Sequence, residues 1–336
     1  MDNEVSMLLA DNLYEDILNV VKSDVDFSKF KNKTVLINGA HELLGFYLAC
    51  ALLVSNDLNG TNIKVVAVGK DDSIFKLYGK LTSRNDIDFI VSESFSNINT
   101  EADFLIQADK LSCEAEILNI LNYIKTHKSI SLINSHSDIY GDVFNGKDTI
   151  SEKDMGYLDC CKPSDYYASL ERMAESAAIT AVKEYSLDIK LSRMCQVFGF
   201  MKYGQKSGYI NIFKSVIDKK DIEIENKDRE LCSYIYVTDA TEAILKILTE
   251  GKSAEIYNVS SQYISSNHIF AQYCVKLFED LDIKIIYKGK TKTLSPMAPT
   301  LEALDASKLK ALGVFPKVDI QNGIIKSVKN LYELRG

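Results

Sequence analysis

Residues 35–45 have the sequence VLINGAHELLG, which is the stretch most informative about the fold. Three apolar residues are followed by a loop with glycines at Gly39 and Gly45, and then by an apolar run that continues to Val54. A short buried strand, a tight glycine turn and the start of a buried helix form the first unit of a doubly wound α/β sheet. The sequence therefore predicts that the main fold begins near residue 33.

The same alternation continues along the chain. Short, mostly apolar segments recur between stretches of helical spacing, at residues 63–68, 104–106, 131–133 and 187–191. Strands of this kind are buried on both faces, which is typical of a parallel sheet covered by helices. The sequence thus predicts an α/β fold with a Rossmann-type doubly wound parallel sheet.

Two further regions flank this sheet. Apolar positions at helical spacing between residues 5 and 22 predict an N-terminal helical extension. Beyond residue 200 the pattern becomes irregular, which predicts a smaller substrate-facing domain. The expected division is 1–30 for the extension, 31–198 for the Rossmann domain and 199–336 for the substrate domain, with segments near 230–250 returning to the Rossmann core.

Charge and cysteine usage narrow the class of protein. The formal net charge of -8 leaves no basic surface for nucleic acid or for an anionic membrane. The seven cysteines are scattered without a CxxC pair, so neither a zinc site nor a disulfide framework is expected. The start of the chain is acidic and lacks the order of a signal peptide. We expect a cytoplasmic protein without a structural metal.

Several motifs together resemble the extended short-chain dehydrogenase/reductase family of NAD-dependent nucleotide-sugar epimerases and dehydratases. Residues 35–45 resemble its GxxGxxG loop, and the NSHSDIYG stretch at 134–141 resembles its SSxxVYG element. Further matches are the YxxSKRxxE-like helix at 165–175, the strand at 193–200, and the YxYVxDxA, YNV and LDxSKLxxLG elements at 234–240, 256–259 and 304–313. Within this family, the motifs are most similar to those of the UDP-glucuronate decarboxylase and UDP-glucose 4-epimerase branch.

The resemblance implies a site for NAD or NADP. It assigns to that site Gly39, Glu42, Leu43, Gly45, Lys70 and Ala108. Glu42 replaces the middle glycine and would repel the cofactor pyrophosphate, so binding is expected to be weak or lost; alternatively Glu42 turns to solvent and caps the helix. Lys70 follows the strand end where NAD-binding members carry Asp. It would favour the 2′-phosphate of NADP, or it is a solvated lysine in a turn with Asp71 and Asp72.

The resemblance also implies a catalytic set, which is altered here. Tyr167 is the expected catalytic tyrosine, His136 stands in place of the family Ser/Thr, and Glu171 replaces the family lysine. A register one residue earlier would select Tyr166 and Leu170 instead. That lysine lowers the pKa of the tyrosine in the family, and Glu171 carries the opposite charge. His136 would still be able to polarise a sugar oxygen.

Substrate contacts are altered as well. Gln196 replaces the family's substrate-binding Asn, and Cys232 replaces the Arg that grips the nucleotide diphosphate, with Arg229 nearby but out of register. Two functions follow. One is a catalytically impaired pseudoenzyme that serves as a regulatory or scaffold subunit. The other is a divergent, active NAD(P)-dependent nucleotide-sugar epimerase, dehydratase or decarboxylase.

The family habit of pairing through the tyrosine-bearing helix implies an assembly. We expect a homodimer, or a heterodimer with an active relative. The small apolar face expected to meet the partner consists of Leu170, Ala174, Ala177, Ala178 and Ala181. Packing inside the monomer is the alternative use of this face.

Overall fold

The computed structural model describes residues 9–143, 149–201, 208–225, 231–261, 263–288 and 303–333. The strands are β1 (Thr34–Asn38), β2 (Lys64–Gly69), β3 (Ile87–Val91), β4 (Phe104–Gln107), β5 (Ile130–His136), β6 (Thr149–Ile150), β7 (Ile189–Met194), β8 (Gln196–Phe198), β9 (Ile222–Ile224), β10 (Cys232–Tyr236), β11 (Ile256–Val259), β12 (Tyr263–Ser265), β13 (Ile285–Tyr287) and β14 (Ala303–Leu304). The helices are α1 (Asp11–Val21), α2 (Leu43–Asn59), α3 (Ser73–Tyr78), α4 (Glu114–His127), α5 (Tyr166–Tyr185), α6 (Gly208–Ile217), α7 (Val237–Glu250), α8 (Asn267–Leu277), α9 (Ser307–Ala311) and α10 (Ile320–Glu333).

A seven-stranded sheet in the order β11-β7-β5-β4-β1-β2-β3 forms the centre of the molecule. Every neighbouring pair in it is parallel. Its inner strands are buried on both faces, because one apolar cluster fills the side of α2 and α7 and another fills the side of α4 and α5. The predicted Rossmann-type doubly wound parallel sheet is therefore confirmed.

The edge strand β3 is the part of the sheet that the apolar pattern missed. Its sequence IDFIV is only partly buried, and Asp88 is exposed. An edge strand packs on fewer neighbours, so it carries no continuous apolar signal.

Helix α1 packs against α2, α7 and α10. Its carboxylate Asp16 is 1% exposed and accepts a hydrogen bond from the Tyr236 hydroxyl at 2.6 Å. The Lys326 ammonium lies 2.6 Å from the other oxygen of Asp16. A buried charge and its partners thus join the N-terminal helix to β10 and α10.

Smaller sheets follow the main one in the second half of the chain. Strands β12, β10 and β8 form a three-stranded sheet, and β13-β9 and β14-β6 form pairs. Among the described residues, no helix combines the length and apolar character needed to cross a bilayer.

Candidate functional site

The candidate site lies at the carboxyl end of β1. This strand lies between β2 and β4, and the chain leaves β1 and β4 in opposite directions along the sheet. Ligands of doubly wound folds bind in the crevice at such a point, outside the carboxyl ends of the strands. The residues that follow β1, β2, β4 and β5 therefore form the walls of this crevice.

The glycine loop keeps the geometry of a tight turn. Gly39 has φ +92°, and a Cβ there would lie 2.6 Å from the backbone N of Asp109. A Cβ on Gly45 would lie 2.2 Å from the carbonyl oxygen of Gly39. Both positions exclude any side chain, so the first and third glycines are required by the close approach of α2, β1 and β4.

Two apolar residues assigned to the cofactor site support this loop. Leu43 is the first residue of α2 and is 8% exposed. Ala108 follows β4, and its N–H donates to the carbonyl of Asn38 at 2.9 Å. They shape the floor of the crevice and offer no charge to a ligand.

Glu42 is the residue that precedes α2. Its backbone is extended, its side chain makes no capping hydrogen bond, and 55% of that side chain is exposed. The Glu42 side chain therefore faces solvent, as the alternative interpretation expected, but it does not cap the helix. The His41 Nε2 lies 3.6 Å from the Glu42 carboxylate. A negative charge thus stands at the helix N-terminus, where a pyrophosphate would need donors.

Lys70 is paired with Asp109, an arrangement that neither sequence interpretation of Lys70 anticipated. Its ammonium lies 2.6 Å from the Asp109 carboxylate, which is only 7% exposed. Burial lowers the pKa of Lys70, but the hydrogen bond and the charge of Asp109 outweigh it, and the net shift is upward. Lys70 follows β2 and Asp109 follows β4, so their ion pair crosses the end of β1, which lies between them.

Asp109 lies at this crevice but was not among the residues that the sequence motifs assigned to the site. The available signal was its place directly after Ala108, where a carboxylate enters a site for an anionic cofactor. One potential metal-ligand atom from each of His41, Glu42 and Asp109 lies within 4.8 Å of the other two, a spacing that would suit a cation. In this arrangement the Lys70 ammonium supplies the positive charge at Asp109.

His136 and Glu171 are in direct contact. The backbone N–H of His136 donates to one carboxylate oxygen of Glu171 at 3.0 Å, and Nδ1 of His136 lies 2.8 Å from the other. The Glu171 side chain is 4% exposed and that of His136 is 28% exposed. The two replacements that the sequence presented as separate losses are therefore one hydrogen-bonded pair.

The geometry distinguishes the two registers of the tyrosine helix. Leu170 is buried in the apolar cluster, whereas Glu171 turns towards His136. Tyr166 donates to Glu114 on α4 at 3.3 Å, away from the crevice. Tyr167 is 50% exposed and lines a cavity of about 310 Å³. Other residues around this cavity are Lys110, Ser137, Asp138, Tyr157 and Asp165.

The substrate candidates lie on the small sheet. Gln196 on β8 is exposed and pairs with Tyr234 of β10. Cys232 begins β10, two residues before Tyr234, so it shares a face with Gln196. Arg229 lies outside the described residues.

The face of α5 that was expected to meet a partner is mostly internal. Leu170, Ala174, Ala178 and Ala181 are each at most 7% exposed and belong to the apolar cluster under α4 and α5. That prediction is wrong for Leu170, Ala174 and Ala178, because the small side chains let α5 lie close to the sheet, whereas Ala181 also borders the groove between α4 and α5. A different surface remains open between α4 and α5, a groove of about 520 Å³ lined by Leu118, Leu121, Lys125, Met173, Ala177 and Tyr185.

Structural comparison places this geometry among known folds. A dTDP-glucose 4,6-dehydratase of Bacillus anthracis in complex with NAD superimposes with a TM-score of 0.72 at 16% identity, over 89% of this chain and 96% of that one. A UDP-glucuronic acid 4-epimerase of Bacillus cereus, in complex with UDP-glucuronic acid and NAD, gives 0.73 at 16% identity, over 90% and 99%. At this identity the likeness shows the fold.

Sequence comparison shows the family. Human dTDP-D-glucose 4,6-dehydratase is 25% identical over 171 residues, 50% of this chain and 48% of that protein. An uncharacterized protein of Methanocaldococcus jannaschii, MJ1055, is 28% identical over 220 residues, 63% and 62% of the two chains. The chain thus spans about half the length of the human relative. The profile of the NAD dependent epimerase/dehydratase family matches residues 35–260. As the motifs predicted, the chain belongs to the NAD dependent epimerase/dehydratase family.

Proposed function

We propose that this chain is a catalytically impaired member of its family that acts as a regulatory or scaffold subunit in nucleotide-sugar metabolism. One observation carries the proposal, the ion pair of Lys70 and Asp109 over the end of β1. A dinucleotide would need this point for its ribose, beside the pyrophosphate position at the N-terminus of α2. Here the space holds a paired ammonium and carboxylate, with the carboxylate of Glu42 nearby.

Charge works against the cofactor in this arrangement. Relatives of the fold are described in complex with NAD, whose pyrophosphate is anionic. Repulsion between a phosphate and one carboxylate at 4 Å costs about 1 to 4 kcal/mol, or roughly fivefold to a thousandfold in affinity. Asp109 holds the Lys70 ammonium, which would otherwise be available to a phosphate, and opening this ion pair costs additional free energy. NAD or NADP therefore binds weakly or not at all.

The hydride-transfer set is altered at the same crevice. The family's tyrosine is activated by a lysine, and in this chain the corresponding Glu171 is bonded to His136. A carboxylate with two hydrogen bonds cannot supply the cation that stabilises a tyrosinate. Hydride transfer needs both a bound cofactor and a cation beside the tyrosine. The altered cofactor site and the replacement of the lysine by Glu171 therefore impair the same reaction.

Two measurements test the proposal. The purified protein is denatured and the supernatant is analysed by mass spectrometry, and we expect no NAD or NADP. Nicotinamide absorbance is then followed in single turnover with added cofactor and UDP-glucose, UDP-glucuronate or UDP-N-acetylglucosamine, and we expect no reduction. Cofactor reduction by the unmodified protein with any of these sugars would overturn the proposal.

A scaffold role implies a partner surface. The groove between α4 and α5 exposes Leu118, which is 57% accessible, and Met173, which is 38% accessible. We propose that a second copy of this chain, or a related short-chain dehydrogenase/reductase, packs here. Residues after 199, apart from α7 and β11 on the main sheet, are proposed to form the sugar side of the crevice.

The second candidate is a divergent, active epimerase, dehydratase or decarboxylase. It is favoured by the His136–Glu171 pair, because an imidazole held by a carboxylate is an effective proton acceptor. In such an enzyme His136 would take over as base, and Tyr167 would line the sugar cavity. Activity that survives Tyr167→Phe and disappears in His136→Asn would support this candidate.

A further inference from the structure

The contact between His136 and Glu171 determines which ring nitrogen of a neutral His136 carries the proton. A backbone N–H can only donate, so the Glu171 oxygen 3.0 Å from the His136 nitrogen is an acceptor. When the carboxylate is ionised, its second oxygen, 2.8 Å from Nδ1, is an acceptor as well. Nδ1 then carries the proton of the neutral imidazole, and Nε2 carries a lone pair.

The lone pair points away from Glu171. The Nδ1 edge of the ring faces a side chain that is 4% exposed, while 28% of the His136 side chain is exposed. Because Glu171 covers the Nδ1 side, the exposed fraction belongs to the rest of the side chain, in which Nε2 is the remaining polar atom. Among the described residues, no hydrogen bond to Nε2 is formed. The chain continues from His136 directly into Ser137 and Asp138, which line the 310 Å³ cavity.

We propose that His136 and Glu171 form a hydrogen-bond-accepting subsite for a hydroxyl of a sugar ligand. Glu171 is the positioning residue, because it holds the tautomer, and Nε2 of His136 is the atom that meets the ligand. The polarity is the reverse of a hydroxyl side chain, which can donate to a carbonyl oxygen. A neutral imidazole with Nδ1–H held by Glu171 accepts from a hydroxyl and rejects a carbonyl.

This inference is partly independent of the proposed function. The choice of a sugar as ligand rests on the proposed nucleotide-sugar site. The tautomer and the direction of Nε2 rest only on the geometry of the pair. An experiment can therefore separate the failure of one from the failure of the other.

The first arm of the experiment needs no ligand. The chain has four histidines, so ¹⁵N-histidine labelling and long-range ¹H–¹⁵N correlation resolve each ring, with His136→Asn identifying its signals. At about pH 8, where ordinary imidazoles are neutral, we expect Nδ1 protonated and Nε2 unprotonated in His136. Glu171→Gln has the same shape. Its oxygen must still accept the backbone N–H, so its NH₂ faces Nδ1 and donates. The tautomer should invert, with the proton on Nε2.

The control for this arm is Glu184→Gln, an exposed glutamate on the same helix, which should leave the tautomer unchanged. An Nε2–H tautomer in the unmodified protein would overturn the proposal. So would an unchanged tautomer in a folded Glu171→Gln variant.

The second arm adds UDP-glucose to the labelled protein, with UDP alone as the control. We expect UDP-glucose, but not UDP, to move the Nε2 resonance in the direction of hydrogen-bond acceptance. His136→Asn should weaken UDP-glucose binding about tenfold, the worth of one hydrogen bond. In Glu171→Gln the inverted tautomer would donate from Nε2 to the hydroxyl oxygen, so Nε2 should keep its proton when UDP-glucose binds and should not report hydrogen-bond acceptance. Binding of UDP-glucose without any change at Nε2 would refute the hydroxyl subsite. Absence of binding would refute the sugar as ligand and count against the proposed nucleotide-sugar role, while the first arm still decides the tautomer.

Discussion

The ammonium of Lys70 and the carboxylate of Asp109 lie 2.6 Å apart across the carboxyl end of β1. The pair joins the ends of two strands that flank the glycine loop. The loop itself keeps Gly39 and Gly45 in positions that tolerate no side chain. The glycine loop therefore keeps the backbone geometry of a dinucleotide site. Beside it, the charged groups of Lys70 and Asp109 are paired with each other.

Removing both carboxylates should restore cofactor binding. We expect Glu42→Gly together with Asp109→Ala to raise the affinity for NAD or NADP by at least about tenfold, since Glu42→Gly removes a repulsion of about 1 to 4 kcal/mol beside a phosphate and Asp109→Ala frees the Lys70 ammonium. Glu42→Gly alone should improve it less, because the Lys70 ion pair remains. Calorimetry measures the affinities, and Asp88→Ala on the exposed Lys64–Asp88 pair is the control. Tight NAD binding by the unmodified protein would contradict this prediction.

Reversing the charge at position 171 should harm the protein without restoring the reaction. Glu171→Lys removes the acceptor of the His136 N–H, and an unsatisfied buried donor costs about 1 to 3 kcal/mol. We expect lower stability in urea and no hydride transfer, since groups that act as a unit are not rescued singly. Glu279→Lys makes the same change at an exposed site away from the groove between α4 and α5 and should be nearly neutral. Equal stability of the two variants would argue against the pair.

The N-terminal helix should depend on Asp16. Asp16→Ala leaves the Lys326 ammonium and the Tyr236 hydroxyl without their shared partner. Breaking a buried ion pair from one side costs about 3 to 5 kcal/mol. Urea unfolding should show a loss of this order, whereas Glu15→Ala on the exposed side of α1 should stay within about 0.5 kcal/mol. A similar small effect for both would show that α1 is held by its apolar face alone.

Asp239 should make stability fall between acid and neutral pH. Burial raises its pKa from 3.8 to about 6, although the N–H groups of Lys317 and Val318 oppose the shift. The folded chain therefore holds this proton more tightly than the unfolded chain. Its contribution is fully present below about pH 4 and is lost as pH rises through about 6, a change of about 3 kcal/mol for about 2 pKa units.

Asp239→Asn isolates this effect, because one oxygen of Asp239 accepts both N–H groups and an amide oxygen can do the same. We expect the variant to gain stability relative to the unmodified protein as pH rises from 4 to 8, by an amount of that order, in urea unfolding. Glu279→Gln, an exposed site, is the control and should show no such trend. A difference that is constant with pH would contradict the raised pKa.

The groove between α4 and α5 should control assembly. We expect a dimer at micromolar concentration by light scattering, and a monomer after Leu118→Glu, because a charge in an apolar interface is costly. Phe315→Glu changes a similarly exposed apolar residue elsewhere and should leave the dimer intact. A monomeric unmodified protein, alone and with a related short-chain dehydrogenase/reductase, would remove this surface from the proposal.

Much of the fold was readable from local pattern. The glycine spacing at 39 and 45 and the continuously apolar strands predicted the parallel sheet, because backbone sterics and burial on both faces act within a few residues. The edge strand β3 was missed because its solvent face interrupts the apolar pattern. The α5 face was misassigned because a stripe of small residues suits a partner helix and a nearby sheet equally well.

The family, the glycine loop and the positions at which the family's site residues are replaced could all be predicted from the amino-acid sequence. The contacts that these residues make with one another depend on the tertiary structure. Residues 136 and 171 are 35 positions apart, and residues 70 and 109 follow two different strands, so no local rule pairs them. The parallel sheet brings the ends of β2, β4 and β5 and the start of α5 to one edge. There Lys70 meets Asp109 and His136 meets Glu171, because charges and donors in a partly buried crevice must be satisfied by whatever the fold places beside them.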